Sequence, residues 1–473
     1  MARPNHNANL FDKTLGNLVG AWKNISFAGR HTDGLQLSPY LHERERETVL
    51  EHIRDCLNGR GGEVSARLRA AELGETYLKF NDEGRRKFLI MLTESFSSDE
   101  ESIASAAQAL LMAQSPDEKQ KLQAQLRDLL EPPQVRLLTQ FNALPQGTQF
   151  LVDMRADMVR YRPSCPRLAP LDNELRRQLS SWFDIGFLEM RRITWDAPAA
   201  LLEKLIHYEA VHQVHDWGDL KDRLSDDRRC FAFFHPRMPK EPLIFVWVAL
   251  MPEMPSTIAE VLERPQQAIE ADEAKAAVFY SISNTQVGLQ GVSLGNFLIK
   301  RVVDRLSKSL PNLETFGTLS PIVGFRDYLV RHLPVESGIT LTDPEYTTLK
   351  ELAPEEAPPE LIASGRWLED DELMQAAQLP MMRLCAHYLT QEHRAGNKGV
   401  LNSVAHFHLT NGARLARVNW QSDLSENGLR QSYGLMVNYI YKRDEIELNH
   451  EQYVEHGEVC CDPAVTSLLT PTR

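Results

Sequence analysis

The apolar residues of this chain change their period at one place, the proline-rich stretch Tyr161-Arg-Pro-Ser-Cys-Pro-Arg-Leu-Ala-Pro170, and that change constrains the fold most. From Leu41 to about Arg160 they recur at helical spacing, as in Val49, Ile53 and Cys56, and again in Phe88, Leu89, Met91 and Leu92. Helix starts are visible in Ser115-Pro116-Asp117-Glu118, in Asn81-Asp82-Glu83 and in Ser98-Asp99-Glu100, and Pro132-Pro133 ends or restarts a helix. Residues 1 to about 40 show little periodicity and read as a loose arm. Beyond the prolines, short apolar runs bounded by turn residues predict strands at 229–235, 243–251, 277–283, 314–319, 413–420 and 432–441, with a turn over Pro236–Pro242. Between them, 293–310 predicts an amphipathic helix, and 340–395 is helical and acidic. The chain thus reads as multidomain, α and α/β (α+β): a helical bundle over 1–177, linker included, then a mixed-sheet domain over 178–473. No internal repeat of fixed period is present.

Composition removes several classes of function. The longest unbroken apolar run, Leu243 to Met251, is far shorter than the roughly 20 residues of a membrane span. A formal net charge of −13 argues against a broad nucleic-acid surface, although a local site can still bind a small anion. Six cysteines without a C-x-x-C pair give neither a zinc ribbon nor a redox motif. Met1 to Leu15 has no apolar core of a signal peptide, and the C-terminal residues are not a peroxisomal tripeptide, so the expected location is the cytoplasm.

Three segments carry chemistry. In Tyr280 to Gly295 a strand runs through a loop with Gly288 and Gly291 directly into a helix, a form in which backbone N–H groups can meet a pyrophosphate; Lys300 and Arg301 lie along that helix. The glycine spacing is neither that of a Walker loop nor that of a dinucleotide fingerprint. Ser320 follows the next strand and sits at its carboxyl end, where open sheets bind ligands. His406 and His408 lie in Asn402 to Thr410, which reads either as a short helix stopped by Asn411-Gly412 or as a strand turning at that Asn-Gly. On a strand the two imidazoles share a face and could chelate a metal; on a helix they point nearly opposite ways. No third ligand is evident nearby, so no metal site is expected. One histidine is expected to carry protons.

The loop resembles the pyrophosphate loop of GNAT-type N-acetyltransferases, except that Leu289 stands where that loop has a glycine. Taken together, Phe279–Ser283, Gln286–Val292, Leu294-Gly295, Phe297–Val303, Leu319–Ile322, Gly324-Phe325, Val404-Ala405, Phe407–Leu409, Asn411–Ala413, Asn419-Trp420, Gly434–Met436, Asn438-Tyr439 and Tyr441 resemble malonyl-CoA decarboxylases. Ser180–Phe183, Gly186–Leu188, Thr194-Trp195 and Glu241–Leu243 fit as well. The resemblance implies a helical N-terminal domain used in assembly and an acetyltransferase-like (GNAT) catalytic domain. It implies that Gln286, Val287, Gly288, Leu289, Gln290, Gly291 and Val292 bind CoA, that Ser320 and His408 are the catalytic pair, and that Tyr441 supports them. A homotetramer is implied too, with malonyl-CoA as substrate and no cofactor.

The chemistry suits those residues. Loss of CO₂ from a malonyl thioester leaves an enolate whose electrons the thioester carbonyl already accepts. The protein has to orient the carboxylate, stabilise the oxygen and protonate the α-carbon. Ser320 can orient, or accept a proton, and His408 with an ordinary pKa near ~6.5 can protonate. An N-acyltransferase would share the loop but need an amine acceptor, and a non-catalytic CoA-binding scaffold would bind without turnover.

Overall fold

The computed structural model describes residue 22 and residues 35–58, 62–263, 269–292, 294, 298–333, 340–394, 396 and 399–469. The expected arm at 1–40 therefore lies largely outside the described residues, as do positions 293 and 295–297 of the expected helix 293–310. By packing the chain forms two units. The first holds the helical residues up to Glu189 together with Phe234–Leu243 and Gln286–Leu294. The second holds Met190–Phe233, Ile244–Thr285 and the chain from Gly295 onward.

In the first unit, helices α1 (Arg46–Leu57), α2 (Gly62–Lys79), α3 (Asp82–Ser95), α4 (Glu100–Met112), α5 (Pro116–Leu130), α6 (Pro133–Asn142), α7 (Gly147–Tyr161) and α8 (Ala169–Trp182) follow one another. The caps are where the sequence places them: Asn81 accepts the Gly84 N–H and Ser115 that of Glu118, while Asp99 rather than Ser98 caps α4. Pro133 opens α6, where its missing N–H costs nothing. The core stacks Phe150 edge-on against Trp22, Tyr77 and Phe141, with centroids 5.0, 5.7 and 5.1 Å away. The hairpin α4–α5 is different. It buries Ala106 and Ala113, and it leaves Leu111 87% and Met112 68% exposed.

The proline-rich stretch is a corner within the helices. Ser164 and Cys165 donate back to the carbonyls of Tyr161 and Arg162, and a short turn at Pro166–Leu168 leads into α8. The expected boundary at 177/178 falls inside that helix.

The strands are β1 (Glu189–Ile193), β2 (Arg228–His235), β3 (Met238–Met251), β4 (Ala276–Asn284), β5 (Thr315–Thr318), β6 (Ser320–Pro321), β7 (Arg414–Asn419) and β8 (Met436–Ile440). They form one mixed sheet in the order β1-β2-β3-β4-β5-β8-β6, with β7 also on β8. The expected turn over 236–242 is shorter than the prolines suggest. Two residues make it, and β3 begins at Met238, because Pro239 lies exposed near the hairpin end where no N–H is demanded. The start expected for the last strand also moves: Glu426–Ser432 is helical and β8 begins at Met436.

The sheet opens where β4 meets β5. They pair in parallel only from Ala276↔Thr315 to Phe279↔Thr318, while β4 continues to Asn284. A bulge at this point, between Trp247 and Val248 in the register with β3, places one extra β4 residue, Tyr280, just past the last paired position. Helix α9 (Leu298–Ser309), amphipathic with Leu298, Val302 and Leu306 buried, crosses from β4 to β5.

Candidate active site

Ser320 is positioned by an interrupted ladder. Gly317 pairs with Ile440 and Ser320 with Val437, the same register on either side, yet the pairs between are replaced by side-chain contacts. The Tyr439 N–H reaches Thr318 Oγ1 at 3.3 Å, and Asn438 Nδ2 donates to the Thr318 carbonyl at 2.9 Å. Residues 318 and 320 share a strand face, so their hydroxyls meet: Ser320 Oγ donates to Thr318 Oγ1 at 2.8 Å.

His408 arrives on α11 (Ser403–Thr410), taking α10 as the preceding long helix Asp371–Thr390. Asn402 caps α11 by accepting the Ala405 N–H, Asn411 ends it, and Gly412 follows at φ +79°. The helical alternative thus holds over the strand. The two histidines point apart. His408 Nε2 lies 3.1 Å from Ser320 Oγ and its Nδ1 lies 2.8 Å from the Tyr441 hydroxyl, while His406 Nδ1 lies 2.7 Å from the Tyr453 hydroxyl. Among the described residues no three His, Cys, Asp or Glu side chains gather as metal ligands.

One protonation pattern satisfies the whole chain of contacts. Ser320 gives its hydroxyl proton to Thr318, so its oxygen accepts from His408 Nε2–H, and Nδ1 then accepts from Tyr441. Burial pushes the Tyr441 hydroxyl well above its ordinary value, so it keeps its proton. Burial alone drives His408 from 6.5 to about 3, and its ring stacks on Tyr439 with centroids 4.5 Å apart. The imidazole is therefore neutral at pH 7, which departs from the ordinary titration expected for it.

The loop Gln286–Val292 follows β4 and packs in the first unit. Three of its amides are already engaged: Leu289, Gln290 and Val292 donate to the carbonyls of Gln286, Val287 and Leu289. Gln286 donates its side-chain amide to the Pro242 carbonyl at 3.3 Å. The cations expected beside the loop are occupied elsewhere. Lys300 pairs with Glu447, and Arg301 lies over the Phe233 ring at 5.6 Å.

Sequence reasoning passed over Thr318, the partner of Ser320, although its spacing of two from a strand-end serine is a signal. It also passed over Asn402, whose side chain binds the Val323 carbonyl at 2.9 Å and so ties α11 to the segment after Ser320.

A buried hydroxyl–imidazole–hydroxyl chain at the carboxyl end of a mixed sheet is the arrangement of an acid–base enzyme. Residues 186–473 match the malonyl-CoA decarboxylase C-terminal domain, and residues 96–183 match the malonyl-CoA decarboxylase N-terminal domain. The chain is 39% identical over 403 residues to the mitochondrial malonyl-CoA decarboxylase of Rattus norvegicus, covering 81% of this chain and 82% of that one. The crystal structure of malonyl-CoA decarboxylase from Rhodopseudomonas palustris superposes with a TM-score of 0.80 at 39% identity, over 89% of this chain and 99% of that one. The enzyme from Agrobacterium vitis gives 0.80 at 40% identity, over 90% and 100%. The chain belongs to the malonyl-CoA decarboxylase family.

Proposed function

We propose that this chain converts malonyl-CoA to acetyl-CoA and CO₂, with Ser320 orienting the carboxylate and His408 protonating the α-carbon. The observation that carries the assignment of roles is the Ser320–His408–Tyr441 chain in a member of this family. The bond between the carboxylate carbon and the α-carbon breaks, and its electron pair moves through the α-carbon onto the thioester oxygen. With substrate bound, His408 takes a proton from solvent, gives it to the α-carbon and returns to its neutral form. The buried imidazole has no carboxylate partner among its contacts, so the malonyl carboxylate is the anion that raises its basicity when substrate binds. The edge of β4 beyond Phe279, no longer paired with β5, offers backbone donors for the thioester oxygen. Tyr441 holds the tautomer with the proton on Nε2. The thioester is its own electron sink, so neither a metal nor an organic cofactor is called for. CO₂ release from malonyl-CoA alone, with no amine present, tests this reading; an N-acyltransferase gives none.

The parallel β4–β5 pair that parts after four residues also supports reading the sheet as acetyltransferase-like, with Gln286–Val292 as the CoA loop. For assembly we propose a homotetramer formed through the helical region, supported by the exposed apolar residues of the α4–α5 hairpin. All six cysteines are free, and among the described residues no helix is long and apolar enough to cross a membrane. On that footing we place the chain in the cytoplasm.

A further inference from the structure

The loop Gln286–Val292 is mounted on two helices. Gly288 lies so close to α7 that a Cβ there would stand 1.8 Å from the Val152 carbonyl oxygen. Arg155, buried one turn further along α7, donates from Nη1 to the carbonyls of Gly288 at 2.7 Å and Gln290 at 2.8 Å. Its Nε donates to Asp172 of α8 at 2.9 Å, and Arg162 binds the other oxygen of Asp172 at 3.0 Å. The loop therefore turns two of its carbonyls, those of Gly288 and Gln290, toward the helices.

One turn beyond Asp172 on α8 comes Arg176. Its Cδ and Nη1 stand 3.7 and 4.0 Å from the place a Cβ would take on Gly291, a residue at φ +74°. Arg176 is exposed, and among the described residues its guanidinium has neither an ion pair nor a hydrogen bond. Its neighbour Arg177 is held instead by Glu174 at 2.7 Å. Burial lowers the proton affinity of Arg155, and the like charges of Arg176 and Arg162 add to that in a smaller way. Arg155 and Arg162 share Asp172, and Arg177 takes Glu174, which leaves the Arg176 guanidinium without a carboxylate among the described residues, and the loop adds no acid. This positive spot stands on a chain of net charge −13.

We infer that Arg176, from the helical region, binds the pyrophosphate of CoA over Gly291. A planar fork of N–H donors suits a phosphate, and a residue without a Cβ lets the phosphate approach the backbone. The inference rests on reading the chain as a CoA-dependent decarboxylase. It also moves the charge for the loop away from Lys300 and Arg301, which are engaged elsewhere.

Steady-state kinetics with malonyl-CoA, malonyl-dephospho-CoA and malonyl-pantetheine test it. Arg176→Ala is expected to raise KM for malonyl-CoA about tenfold, the worth of one charged hydrogen bond. The preference in kcat/KM for malonyl-CoA over malonyl-pantetheine should shrink by the same factor, and Arg176→Lys should recover part of it. The KM effect should persist with malonyl-dephospho-CoA, which keeps the pyrophosphate but lacks the 3′-phosphate. Arg177→Ala should behave as the parent. An unchanged KM in Arg176→Ala overturns the inference, and so does an effect that vanishes with the dephospho substrate. If the parent protein releases no CO₂ from malonyl-CoA, the functional reading itself has failed.

Discussion

At the residue scale the imidazole of His408 sets the sharpest expectations. A positioned proton donor contributes ~10²–10⁴-fold to a rate, so His408→Asn should lose turnover in that range with little change in CoA binding. His406→Asn, on the opposite side of α11 against Tyr453, should stay within several-fold of the parent. If His406→Asn is the inactive variant, the assignment is wrong. Burial also makes His408 a determinant of acid stability. Its folded value, about 3, lies below the ordinary 6.5, so the unfolded chain binds the proton first. The stability of the neutral form is complete above pH 6.5 and is lost as pH falls toward 3, at up to about 1.4 kcal/mol per pH unit. Urea unfolding at pH 7, 6 and 5 should show a shallower loss in His408→Asn than in the parent; equal slopes would refute a buried neutral imidazole. Ser320 and His408 were legible because a strand end and a capped helix each leave a local mark. Tyr441 was reached by resemblance alone, since nothing in its own neighbourhood announces a partner 33 residues away.

At the scale of elements, caps and periods were legible and strand ends were less so. Asn81 and Ser115 signal helix starts through hydrogen bonds within one turn, so the sequence contains the whole interaction. Pro239 misleads because its cost depends on whether its nitrogen, which has no hydrogen to donate, faces a neighbouring strand, which only the sheet decides. The loop glycines differ in what they permit. Gly291 holds a left-handed turn, so Gly291→Val should strain the loop and weaken CoA binding in calorimetry. Gly288→Ala would push a methyl group into the Val152 carbonyl, and thermal unfolding should report a loss of about 1–3 kcal/mol. The α4–α5 hairpin carries the assembly expectation. Leu111→Asp with Met112→Asp should reduce the number of subunits seen by light scattering while the fold persists, because neither side chain is part of the core. An unchanged mass would move the interface elsewhere.

At the scale of the whole chain, the sequence divided it by periodicity, and packing divides it otherwise. Periodicity changes once, whereas Phe234–Leu243 and Gln286–Leu294 return to the helical unit from within the later sequence. No local pattern could reveal this, because Arg155 and Gly288 are 133 residues apart. A chain beginning at Leu171 would therefore lose more than assembly contacts. It would lose Arg155 and with it the hydrogen bonds that hold the carbonyls of Gly288 and Gln290, and CoA affinity should fall along with subunit number. The same separation orders events on the ribosome. Synthesis proceeds from the N-terminus at ~5–20 residues per second, so α7 and α8 can be packed several seconds before Gly288 is joined to the chain. The loop Gln286–Val292 then meets a surface already made, and the two hydrogen bonds from Arg155 are among the last contacts of the helical unit to form.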